Sequence, residues 1–470
     1  MRWREALRPV RMQRVALMAP RDALRDLLVN VADEGAVALD EIPLDGEVSK
    51  NPASASARLQ RLQVRDDTAA VLAPTPPDLD RCERDGRLDL IAGEAQLEAR
   101  SGQVVTRGNV SALVGWMPAD DMPHLAVRVA KVGGVVVPMP RPGGVQPPTL
   151  LTQTGAAREF APLVETYGTV PYADVNPSSL AGLAYVVMFG MMFADVGHGA
   201  LLVLAAIAIR LRWWSRLARL RTVSLFLLGA GVASMFFGAL YGEFFGPTPV
   251  VPVIWLAPLD QPILLLGVAI AVGAVLLAGA YGLGIVNRFR EGGWRRAVYA
   301  PSGLAGAALF LGLGVTVGGV HFDLVWLVLV GGVMAVGGLA VAYIGLLASA
   351  GGGAAGAAQA GIELFDLVVR LGSNLVSFAR LAAFGLTHAA LGDVVWQATT
   401  GLWGHGVLGA AGAVAIFAVG NALAFALEGL VAGIQALRLE YYELFSRVFD
   451  TEGRPFQPWH VPLTTLEVPC

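Results

Sequence analysis

Apolar and polar positions divide this chain near Ser179. Beyond it, near-continuous apolar runs occupy 222–243, 262–286, 300–319, 324–348, 362–391 and 405–448. Each approaches or exceeds the ~20 residues a helix needs to cross a bilayer's hydrocarbon core. The run 179–210 is ambiguous: one long span, or two short ones folded at Ala194–Gly199. The arginines decide. Arg210, Arg212, Arg216, Arg219 and Arg221 form one basic loop, and Arg288, Arg290, Arg295 and Arg296 another, whereas Gly242–Gln261 carries Glu243 and Asp260 and neither Lys nor Arg. Cytoplasmic loops carry the Lys/Arg excess, so the basic loops read as cytoplasmic and the acidic one as external. If the soluble part is also cytoplasmic, 179–210 crosses twice, with Asp195-Val196-Gly197-His198-Gly199 at the outer turn. That gives about eight spans and a cytoplasmic C-terminus.

Upstream of the spans the periodicity is mixed. Gln13–Met18 reads as a strand; Pro20 and Asp22 open a helix carrying Leu24, Leu27, Leu28 and Val31; Gly35 ends it; Ala36–Leu39 is extended again. A helical pattern follows near Ala55–Arg65, then weak alternation over Gly102–Val114. Gly115-Trp116-Met117-Pro118 reads as a turn, Asp120–Lys131 as a helix and Val132–Val137 as a strand. The expected architecture is a mainly α membrane protein of about eight transmembrane helices, including two long tilted C-terminal ones, preceded by a small α+β cytoplasmic domain. The boundaries drawn are 1–137 for that domain, 138–178 for a Pro/Gly-rich linker and membrane approach, 179–450 for the transmembrane part and 451–470 for a cytoplasmic tail.

Two spans carry polar residues at seven-residue spacing. One places Asp366, Ser373, Arg380 and Thr387 on a single helix face; the other places Asn421, Glu428, Gln435 and Tyr442 together, with Arg438 beside them. Seven residues is almost two turns, so each set forms a stripe, and Asp366 to Thr387 spans roughly 31 Å at 1.5 Å per residue. A polar stripe across a membrane is costly and marks an ion path by default.

Composition agrees with a membrane protein. Of 470 residues, 55% are hydrophobic and 15% charged, against about a quarter charged in soluble proteins, and the mean hydropathy is +0.59. The net charge of −3 points to no partner. The cluster Arg2, Arg4, Arg8, Arg11 and Arg14 lacks interleaved aromatics beyond Trp3, so it reads as a solvated or membrane-surface-facing end and not as a nucleic-acid site. No signal-peptide apolar run follows those arginines. Cys82 and Cys470 imply neither a disulfide framework nor a metal site, and no cofactor is expected. No Gly-x-x-x-x-Gly-Lys-Ser/Thr occurs, so the chain carries no nucleotide loop of that type. The glycine run Gly351–Gly353 reads as a cytoplasmic connection, and Gly331, Gly332, Gly337 and Gly338 as close helix packing.

Four stretches carry a family resemblance: Met12–Ile42; Pro147–Leu151 with Tyr167-Gly168 and Pro171-Tyr172; Phe189-Gly190-Met191-Met192-Phe193-Ala194-Asp195-Val196-Gly197-His198-Gly199; and the pair Ser377-Phe378-Ala379-Arg380-Leu381 and Leu437–Ser446. In combination they resemble the membrane stator subunit of rotary V-type and archaeal-type ATPases, subunit a or subunit I. The family usually has Gly at Ala194 and Tyr-Leu at Phe378-Ala379. It also normally inserts long antiparallel helices where this chain has only the residues between Ile42 and Val137.

The resemblance implies a proton-translocating subunit, itself non-catalytic, of a multi-pass membrane complex, expected in a prokaryotic plasma membrane. Its implied partners are a rotating ring of small membrane subunits, a peripheral stalk, other subunits of the ATPase and the bilayer. Arg380 would meet the ring carboxylate, Arg438 would be a second cation there, and Gln435 would hold either guanidinium. Glu428 and His388 would line the outer half-channel, and Asp366 and Glu363 the cytoplasmic one. Asp195 and His198 read first as a turn-and-packing motif, and Ser373 and Asn421 as helix–helix hydrogen-bonding groups, with a channel role second. The alternatives are an independent secondary ion transporter, whose internal repeat is not evident, and a non-transporting scaffold derived from the family.

Overall fold

A computed structural model describes residues 9–40, 54–62, 69–151, 156–211, 223–449 and 451–464. Arg2, Arg4, Arg8, Ile42 and the loop arginines Arg212, Arg216, Arg219 and Arg221 lie outside the described residues. The chain divides into two compact units: Pro9–Leu151 with Gly453–Cys470, and Met1–Arg8 with Thr152–Glu452.

The first unit is α+β. Strand β1 (Met12–Pro20) pairs antiparallel with β4 (Val110–Pro118) on one side and β5 (Val135–Met139) on the other; β2 (Ala38–Leu39) and β3 (Val105–Arg107) share the far edge of β4. Alternation turns Val15, Leu17 and Ala19 into the core. There they meet Leu27, Leu28 and Val31 of α1 (Leu24–Glu34) and Leu125 and Val129 of α5 (Met122–Lys131). Gly35 ends α1 at φ 60°, as the sequence predicts. Three short helices complete the unit: α2 (Ala55–Arg61), α3 (Leu79–Arg84) and α4 (Leu88–Ser101).

Gly115-Trp116-Met117-Pro118 is not a turn. It is the end of β4, with Trp116 and Met117 buried. Gly115 is required because a Cβ there would come within 2.7 Å of the Ala38 carbonyl oxygen on the neighbouring strand. Residues of the tail enter the same core: Trp459 donates its backbone N–H to Val37 and Val461 to Ala32, and both side chains are buried.

The second unit is helical: α6 (Ala156–Tyr167), α7 (Ser178–Met192), α8 (Val196–Arg210), α9 (Ser224–Tyr241), α10 (Pro262–Tyr299), α11 (Leu304–His321), α12 (Val325–Ser349), α13 (Gly353–Ser377), α14 (Ala379–Trp403), α15 (Gly406–Leu439), a π-helical segment (Glu440–Phe445) and α16 (Ser446–Val448). Among the described residues six helical stretches are long and apolar enough to cross a membrane, and the shorter apolar α7 and α8 flank a turn at Phe193–Asp195. Small residues let helices approach: Gly312 abuts Gly331 and Ala335, and Gly199 abuts Gly231.

Both striped helices are interrupted. The run 362–391 breaks between Ser377 and Ala379, so Asp366 and Ser373 belong to α13 while Arg380 and Thr387 belong to α14. At the break Phe378 is fully buried, and Gly273 on α10 makes room for it: a Cβ at 273 would lie 2.2 Å from Phe378 Cγ. The second stripe continues from α15 into the π segment, whose wider turn carries Glu440, Tyr442 and Glu443. Such segments are rare and cluster at functional sites.

Candidate functional site

Two polar clusters lie inside the helical unit. The first centres on Arg380, at the start of α14. Its Nη1 is 4.0 Å from Glu443 Oε1 and makes no hydrogen bond. The side chain as a whole is 30% exposed, while Nη1 itself is buried. Glu443 also feels the charges of Arg380 and Arg438 together. Glu440 is fully buried with both carboxyl oxygens unpartnered. Gln435 does not hold either arginine: its Oε1 is buried without a hydrogen-bond partner. Arg438 is exposed.

The second cluster lies eight residues beyond Arg380, about 12 Å along α14. His388 Nδ1 pairs with Glu428 of α15, the imidazole being buried and the carboxylate mostly so. This is the pair the sequence placed in one channel. Asp195 and His198 join it. Asp195 caps α8, Oδ1 accepting the His198 backbone N–H at 2.7 Å and Oδ2 the Gly246 N–H at 2.9 Å. The His198 and His388 rings lie 5.6 Å apart between centroids, and Phe193 packs on both. Buried Glu243, whose backbone carbonyl accepts the Val196 N–H, faces Asp195 and His388 electrostatically. Asp195 and His198 are therefore both a turn motif and members of the polar cluster.

Other predicted residues stand apart. Asp366 is exposed and bonded to Arg370 at 2.6 Å, Glu363 accepts from Gln359 on the surface of α13, and Ser373 is exposed. Asn421 is buried and donates to the Phe417 carbonyl within its own helix.

Sequence reading missed Glu243, Glu440 and Glu443 as site members. Glu440 and Glu443 had a signal, since each is a carboxyl near an apolar span. Glu243 was read only as a loop charge. A third group, on α10 and the segments packed against it, also escaped notice. Asn287 accepts the Val175 N–H and donates to the Val448 carbonyl, and Arg288 donates to that carbonyl and pairs with Glu291 at 3.0 Å. Asp174 is fully buried beside them with neither carboxyl oxygen bonded. Burial, with Glu291 nearby, pushes its carboxyl up to about 7 against the pull of Arg288.

Residues 105–251 match the family model described as the V-type ATPase 116 kDa subunit family. The chain is similar to the A-type ATP synthase subunit I of Halobacterium salinarum, 28% identical over 387 residues, covering 67% of this chain and 51% of the relative. It is 27% identical over 372 residues to the subunit of that name from Pyrococcus horikoshii, covering 74% and 53%. To the V-type ATP synthase subunit I 2 of Treponema pallidum it is 29% identical over 143 residues, 28% and 32%. The chain thus spans about half the length of the archaeal relatives it matches. With the Asp195–Gly199 motif inside the matched region and long apolar helices following it, the chain belongs to the family of the V-type ATPase 116 kDa subunit and A-type ATP synthase subunit I.

Proposed function

We propose that this chain is the ion-translocating stator subunit of a rotary A/V-type ATPase, with protons as the ion. The observation that carries the reading is Arg380: an arginine in an apolar helix, its side chain partly exposed, with a nitrogen that makes no hydrogen bond. Arginine keeps its charge and cannot relay a proton. A carboxyl on a passing ring subunit would lose its proton on meeting that charge and regain one beyond it. The fixed cation also separates two half-paths, blocking direct leakage between them.

His388 and Glu428 lie on the outer side of Arg380 by the arginine topology and would exchange protons with the outside. Histidine and carboxylate are suited to this because both change charge near physiological pH when their surroundings are tuned. Glu443 and Glu440, with Arg438, would serve the cytoplasmic side, and Asp366 and Glu363 would form its mouth. The ring, the peripheral stalk and the nucleotide-hydrolysing subunits belong to partner chains, and the small α+β unit would sit in the cytoplasm.

Arg380→Ala in the native complex tests this. Coupled proton movement is expected to fall to background while the chain remains inserted and co-purifies with a small apolar ring protein. Pumping near the wild-type rate would overturn the assignment. Purification of the chain without any such partner would favour a transporter acting alone.

A further inference from the structure

We propose that Asp195, His198 and His388 form a binding site for a divalent transition-metal ion of the zinc class. One ligand atom from each lies within 4.8 Å of the others, and all three residues are buried. A tetrahedral site with bonds of 2.0–2.2 Å holds its donors about 3.4 Å apart. Asp195 Oδ1 and His198 Nδ1 are already 3.6 Å apart.

His198 supplies the independent sign of a missing ligand. Its side chain is 2% exposed, yet neither ring nitrogen has a hydrogen-bond partner. The Asn421 carbonyl faces the ring without meeting hydrogen-bond geometry. Leaving both buried nitrogens without a protein partner is costly, and a cation on one of them would reduce that cost.

The surroundings fit a metal. His388 bonds Glu428 through Nδ1, which leaves Nε2 as the ligand atom. A carboxylate on the far nitrogen of a ligating histidine fixes the ring and raises its basicity. Three carboxyls, Asp195, Glu243 and Glu428, bear on His388, and a divalent ion would balance them. With three protein ligands, a water would take the fourth position. Phe193, Phe245 and Phe425 pack on the His198 ring and limit water. Two imidazoles and one carboxylate select zinc, cobalt, nickel or copper over sodium, magnesium or calcium.

The consequence rests on the function proposed above. A metal here would occupy His388 and tie Glu428 to it, so external zinc would block proton flux.

The test uses the full chain purified in detergent, loaded with Zn2+ and desalted before metal analysis. One equivalent is expected on the wild type and none at this site on His198→Ala or His388→Ala, while Glu428→Gln weakens affinity about 10- to 100-fold. Absence of zinc on the wild type, or unchanged zinc on either histidine variant, overturns the proposal. Co2+ bound to the wild type needs no variant: intense visible bands support the low-coordinate site, and weak octahedral bands overturn it. Metal content is read without flux, so a chain that binds zinc but moves no protons in its complex once the zinc is stripped overturns the function and leaves the site intact.

Discussion

Arg380 Nη1 and Glu443 Oε1 face each other at 4.0 Å, beyond hydrogen-bond reach but well inside each other's field. The carboxylate therefore aims the guanidinium without occupying it. Glu443→Gln should leave the complex assembled and slow proton flux about fivefold, equivalent to ~1 kcal/mol of barrier. Arg380→Lys, which keeps the charge but loses the planar fork, should reduce flux more severely. Flux in sealed vesicles at constant complex content checks both, and an unchanged Glu443→Gln rate would make that contact incidental.

The His388–Glu428 pair predicts a different signature. Glu428→Gln removes the carboxylate that steadies the imidazole. Flux should fall and its pH profile should move, because the remaining groups titrate without that charge. A rate and profile identical to wild type would reduce Glu428 to a structural partner.

Much of this was legible in the sequence, for identifiable reasons. Gly35 and the hydrophobic face of Leu24–Val31 follow from local chemistry, an αL cap and helical periodicity, whereas the turn at Asp195 followed from where the loop arginines lie. That His388 and Glu428 share one level followed from counting residues outward from the two arginines; that they pair with each other did not. The break at Phe378 was not legible, because Ser377-Phe378-Ala379 contains neither Gly nor Pro and its cause lies on α10 at Gly273. Gly115 and Pro118 imitate a turn for a similar reason, since the glycine answers a neighbouring strand. Glu440 and Glu443 depend on the π segment, which a seven-residue count cannot anticipate.

Asp195 holds two backbone N–H groups, those of His198 and Gly246, from a fully buried position. Asp195→Ala should destabilise the protein by about 2–4 kcal/mol, the sum of a lost cap and an unsatisfied buried donor. Asp195→Asn keeps one accepting oxygen but sets an NH2 against the other N–H, so it should lose about 1–3 kcal/mol, less than the alanine variant. Thermal melting in detergent separates them. Flux on the Asn variant then asks whether the carboxylate matters beyond the turn: a folded variant with lost flux assigns it to the ion path.

Asp174 predicts a pH effect on stability. Its carboxyl is raised in the fold to about 7, chiefly by burial, from the ordinary 3.8. The folded state therefore binds the proton more tightly than the unfolded chain, so stability conferred by that proton is present at low pH and lost as pH rises through about 7. Asp174→Asn, always neutral, should flatten that decline and melt higher than wild type at pH 8. Equal melting curves for both proteins from pH 5 to 8 would show that Asp174 carries no such linkage.

The packing of Gly273 against Phe378 ties the position of Arg380 to a helix distant in sequence. Alanine at 273 would put a methyl 2.2 Å from Phe378 Cγ and 2.5 Å from its Cβ, closer than side chains tolerate. Phe378 must then shift, and Arg380, two residues on, shifts with it. Overpacking of this kind costs about 1–3 kcal/mol, and the displaced guanidinium should lower flux about tenfold with the chain still inserted. Phe378→Ala removes the colliding ring carbons and should cost about 3–5 kcal/mol alone through the cavity it opens. Combined with Gly273→Ala it should recover part of the lost flux, because the two positions touch and their effects are not additive. If Gly273→Ala is silent, or if the double variant is merely the sum of the single ones, the break at Phe378 does not position the arginine.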